Sequence, residues 1–97
     1  MISTIQSILD LSKSRITFHR ENNQNDWYQW SWTHFEGIFD ELEEARKEIE
    51  DEKYIYLEDE LGDVFWDYMC LLEWLEQEWK IQKSRVFERC LRKFSTR

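Results

Sequence analysis

Six carboxylates fall into two rows with helical spacing. Glu41, Glu44 and Glu48 stand at i, i+3 and i+7 beside the apolar series Ile38, Leu42, Ala45 and Ile49, which puts them on one shoulder of a helix. Glu60, Asp63 and Asp67 repeat that spacing, flanked by Val64 and Leu71, with Trp74 two turns further along the same line. Should the rows face each other, their like charges repel, and partial burial raises the cost; the remedies are to protonate some groups or to neutralise them with divalent cations. Hard, oxygen-only ligands favour Mg²⁺, with Mn²⁺ as the alternative. In a chain with 21 acids, ExxE and ExxD pairs arise readily on wet faces. What separates these from Glu43, Lys47 and Glu50, which read as solvated surface, is their joint placement beside two apolar stripes.

Four helices are expected to carry these residues. Ile2, Ile5, Leu9 and Ile16 recur at helical spacing, and the pattern fades into the polar Arg20 to Asp26 stretch, read as a loop. A second helix begins between Trp27 and Thr33, where Thr33 with Glu36 has capping-box spacing, and ends near Asp51. A short turn over Glu50 to Lys53 leads to the longest helix, from about Tyr54 to Trp79, broken only by Gly62, which is expected to allow close helix packing beside the acids. Val86, Phe87, Cys90, Leu91 and Phe94 form the stripe of the fourth, with Arg85, Arg89 and Arg92 opposite.

Composition supports this architecture. With no proline and two glycines in 97 residues, the chain lacks the turn chemistry of a many-stranded sandwich or barrel. The expectation is a single all-α domain, residues 1–97, built as a four-helix antiparallel bundle. A formal charge of −8 disfavours DNA, RNA and anionic lipid as partners. No apolar run approaches the length of a membrane span, and no leader pattern opens the chain. Cys70 and Cys90 lack metal-ligand spacing and read as reduced core residues of a cytoplasmic protein. The third helix carries Leu61, Phe65, Tyr68, Leu72 and Trp79 on one side and Trp66, Cys70 and Trp74 on much of the other. A helix apolar on most sides needs neighbours on most sides, so the bundle is expected to be completed by homo-oligomerisation, as a dimer or tetramer. Dense packing within one chain is the alternative.

The run Asp40-Glu41-Leu42-Glu43-Glu44-Ala45, followed after an interval by Glu60-Leu61-Gly62-Asp63-Val64-Phe65, resembles the ExxE, spacer, ExxD signature of the MazG-like nucleotide pyrophosphohydrolases of the all-α NTP pyrophosphatase superfamily. The resemblance covers roughly Trp27 to Arg97, and Glu-Leu-Gly-Asp followed by apolar residues is its most specific part. It implies that Glu41, Glu44, Glu60 and Asp63 bind Mg²⁺ and perform catalysis. Lys93-Phe94-Ser95-Thr96-Arg97 is similar to the family's KFxxR ending, which implies that Lys93 and Arg97 meet phosphate. Two positions depart from some relatives: Leu91 stands where they carry asparagine, and Asp67 where they carry an aromatic residue. Asp67 there implies an added metal ligand or a changed base pocket, and with Glu48, which continues the row of Glu41 and Glu44, it makes the pair of possible extra carboxylates.

The implied reaction converts nucleoside or deoxynucleoside triphosphates to the monophosphate and pyrophosphate, as house-cleaning of the nucleotide pool. A substrate with about four negative charges reaches a carboxylate cluster only with cations between them. Glu41, nearer its helix start, is the favoured general base. Lys93 and Arg97 also suit a cationic last turn that complements the helix dipole. Trp74, or Trp27 and Trp30, could stack on the nucleobase, although packing is the commoner fate of a large aromatic. His19 and His34 receive no role. The rival readings are a non-catalytic acidic interaction module, and a relative that binds nucleotide without hydrolysing it.

Overall fold

The computed structural model describes residues 1–22 and 31–96. Trp27, Trp30 and Arg97, and most of the expected loop before the second helix, lie outside the described residues. Among the described residues there are four helices: α1 (Ile2–Asn22), α2 (Ser31–Glu50), α3 (Tyr54–Gln77) and α4 (Lys83–Ser95). No strand occurs among the described residues. α1 runs to Asn22, into the stretch expected to be loop. α2 opens at Ser31, so Thr33 and Glu36 lie within its first turns and do not form a capping box.

The hub is α3, against which α1, α2 and α4 each pack. Its closest partner is α2, the other arm of a hairpin closed by residues 51–53. At the turn, the Lys53 N–H donates to the Glu48 carbonyl and the Glu52 N–H to that of Ile49, with Glu52 in the left-handed region at φ 58°. This is a Schellman closure made without glycine. α3 ends the same way: the Lys80 N–H donates to the Leu75 carbonyl and the Trp79 N–H to that of Glu76, with Trp79 at φ 65°. Neither glycine has positive φ.

The core is small and sits between α1 and the C-terminal half of α3, where Ile16, Cys70 and Trp74 are each 1% exposed and the half-buried Trp66 packs against them. Burial pushes the Cys70 thiol up to about 12, so it is an inert packing group. Cys90, expected inside, is exposed. Of the α1 stripe, Ile16 reaches the core with Ser12, whose hydroxyl donates to the Leu9 carbonyl at 2.8 Å, while Ile2 and Ile5 are exposed. Single-helix periodicity names a face, but the crossing point of α1 on α3 decides how much of it is covered.

α4 contributes no buried residue and is held at its start. The backbone N–H of Lys83 donates to Glu76 Oε1 at 2.8 Å, and its ammonium pairs with the buried Glu73, whose other oxygen accepts from Gln77 at 2.8 Å. Glu76 thereby caps α4 from a neighbouring helix, the role a local Ser or Asp usually fills.

Candidate metal centre

The hairpin brings the two carboxylate rows together. Oxygens of Glu41, Glu60 and Asp63 lie within 4.8 Å of one another, and so do oxygens of Glu44, Glu48 and Glu60. Glu60 is common to both triads, so five carboxylates from facing helices converge on one seam. Glu41, Glu48 and Glu60 are half-buried, while Glu44 and Asp63 reach solvent. Glu43, Lys47 and Glu50 are exposed on the far side, and Glu50 accepts from Arg46 at 3.0 Å.

Electrostatics show what this convergence costs. The Glu41 carboxyl is pushed up to about 7, first by a hydrogen bond shared with Glu60, then by burial and by the charges of Asp63, Glu60 and Asp67. Every charge acting on it is a carboxylate, so in the absence of a cation Glu41 retains a proton for Glu60 to accept. Glu48 Oε2 is buried and has no hydrogen-bond partner among the described residues. An acceptor of this kind, in a donor set made only of carboxylate oxygens, fits a hard divalent cation.

Asp67 stands one turn beyond Asp63 and is engaged differently. Its Oδ1 lies 3.2 Å from His34 Nδ1. Burial lowers the pKa of His34 against the opposing pull of Asp67. Gly37 makes room for this pair, because a Cβ there would lie 3.0 Å from Asp67 Oδ2. Sequence reasoning missed His34 and Gly37, although 34, 37, 41, 44 and 48 continue a single alternation of three- and four-residue steps. It placed the close-packing glycine at Gly62, and that is corrected: Gly62 is exposed, with nothing within 4 Å of a Cβ built there.

The aromatic assignments also change. Trp74 is 1% exposed inside the core and has no face to offer a base, because the α1 crossing covers its side of α3. Trp79, expected on an apolar flank of the third helix, lies past its end and is 94% exposed. A ladder absent from the sequence reading runs along α2, where Trp32 and Phe35 stack with centroids 5.0 Å apart and Phe35 meets Phe39 edge-on at 5.3 Å. Lys93 is exposed on α4, its ammonium 5.6 Å from the Phe94 ring centroid, and no ion pair joins it to the carboxylate seam among the described residues.

No curated protein and no solved structure matches the chain. The family model of the MazG nucleotide pyrophosphohydrolase domain matches residues 31–97, which hold α2, α3 and α4 and therefore both carboxylate rows. With that match spanning more than half of its length, the chain belongs to the MazG family.

Proposed function

We propose that the chain hydrolyses nucleoside or deoxynucleoside triphosphates to the monophosphate and pyrophosphate with Mg²⁺ or Mn²⁺. The observation that carries this is the pair of carboxylate triads sharing Glu60 across the α2–α3 seam. Glu41, Glu44, Glu60 and Asp63 would hold the cation, with Glu48 as a further ligand. A divalent cation held there would supply charge neutralisation and Lewis-acid polarisation at the phosphate. Glu41 orients the attacking water and takes its proton as general base. The Asp67–His34 pair, seated over Gly37, fixes the adjoining turns of the two helices. Lys93 and Arg97 are the candidates for stabilising the departing pyrophosphate.

The domain comprises residues 1–97, since α1 supplies Ser12 and Ile16 to the interior although it lies outside the matched residues. It works as a homo-oligomer. Phe35, Phe39, Leu42, Phe65 and Tyr68 are all exposed, and the radius of gyration is 15.0 Å, against about 13 Å for a compact domain of this size. No helix among the described residues is long and apolar enough to cross a membrane.

The test is a panel of ribo- and deoxyribonucleoside triphosphates incubated with Mg²⁺. Monophosphate and pyrophosphate should appear, and Glu60→Gln and Asp63→Asn should each abolish turnover. Release of orthophosphate, or full activity in either variant, refutes the assignment.

A further inference from the structure

We propose a second, cation-independent nucleotide site at the α3–α4 corner, in which Trp79 stacks on a nucleobase and Arg85 and Arg89 hold its phosphate. An open groove of about 410 Å³ lies there, lined by Trp79, Ile81, Arg85, Val86 and Arg89 among others. That volume is in the range of small-molecule sites. From Asp63 to the end of α3 at Gln77 is roughly 21 Å at 1.5 Å per residue, and Glu60 lies farther still, so the groove beyond that end is separate from the carboxylate seam.

Three observations converge on this ligand. Trp79 is 94% exposed and occupies the left-handed position of the α3 closure, where glycine would fit without steric cost. Both solvation and backbone oppose a tryptophan there, and an aromatic held in that way suits a flat partner from outside the chain. Next, the charge of the chain is unevenly distributed: Lys80 to Arg97 holds seven basic residues against one acid, Glu88, although the whole carries −8. Finally, Arg85 and Arg89 repeat at i and i+4, a like-charge spacing unfavourable in itself, and neither makes an ion pair among the described residues. Arg92 extends the stripe into an adjoining cleft that Glu88 also lines, three cations to one acid. Lys80, by contrast, is already paired with Glu78 at 3.0 Å. Free guanidiniums beside an open indole make a receptor for a phosphate joined to a heteroaromatic ring.

The test exploits the difference in metal requirement. In EDTA, where the carboxylate seam repels anions, AMP, GMP, CMP and UMP are titrated into the whole chain by calorimetry, with ribose 5-phosphate and adenosine as half-ligands. At least one monophosphate should bind saturably, and each half-ligand at least tenfold more weakly. Trp79→Gly should weaken that binding fivefold or more while raising the melting temperature, which separates loss of the site from loss of the fold. Arg85→Gln with Arg89→Gln should do the same to affinity, and Asp63→Asn should leave it unchanged. Absence of binding by all four monophosphates overturns the proposal, as does ribose 5-phosphate binding as tightly as the best of them, or dependence on Asp63. Sedimentation of the arginine double variant as a smaller species than wild type would mean that a second copy occupies the groove, and overturns it equally.

Discussion

Replacing Glu41 by glutamine should stabilise the cation-free protein. Folded Glu41 keeps its proton to about pH 7, whereas an unfolded glutamate releases it near pH 4.5. Between those values the folded state binds more proton than the unfolded one, so stability falls as pH rises through the window. Raising the carboxyl from 4.5 to about 7 disfavours its ionised form by about 3 kcal/mol, which solvent screening at this half-buried rim reduces to about 1–2 kcal/mol. Glutamine keeps the shape and the donor toward Glu60 but carries no charge. For a domain of this length the gain is about 5–10 °C in melting temperature at pH 8, shrinking to about a quarter of that at pH 5. The assay is thermal unfolding followed by circular dichroism in EDTA at both pH values, then with excess Mg²⁺, which should raise wild type more than the variant. A Glu41→Gln protein less stable than wild type at pH 8 in EDTA, or one whose advantage is the same at pH 5, would show that the seam is not under like-charge repulsion.

The remaining expectations concern packing. Gly62→Ala should raise stability by about 0.5–1 kcal/mol, since the added methyl meets nothing and glycine is a poor helix former. Gly37→Ala should lower it by about 1 kcal/mol and displace Asp67, seen by denaturant unfolding and as a changed His34 titration in NMR. Lys83→Met should cost about 3–5 kcal/mol by stranding the Glu73 carboxylate, whereas Lys83→Met together with Glu73→Leu should recover most of that loss. Trp74→Ala should cost about 3–5 kcal/mol in urea unfolding, because it opens a cavity against Ile16 and Cys70.

Both carboxylate rows were legible in the sequence because a row depends on a single helix, and helical spacing is local. Glu48 lies with Glu44 and Glu60 because it continues the same three- and four-residue steps. Less accessible was anything set by how one helix crosses another. Trp74 looked aligned with the acids, yet the α1 crossing claims it for the core. Gly62 lies in the acidic signature, yet a Cβ built there meets no neighbour among the described residues, while the glycine that does meet one, Gly37, lies on the partner helix. The His34–Asp67 contact and the Glu73–Lys83 clip each join residues from two elements, and no one-helix projection pairs them. Trp79 fits the stripe of α3 when the helix is continued past Gln77, but the closure at Glu78 ends it first.

All five seam carboxylates ride on two helices joined by three residues. The ligand cage therefore needs nothing but that hairpin: neither α1 nor α4 lends it a carboxylate. Mutual repulsion among the acids opposes the closed hairpin, and divalent ions that occupy the cage would relieve it.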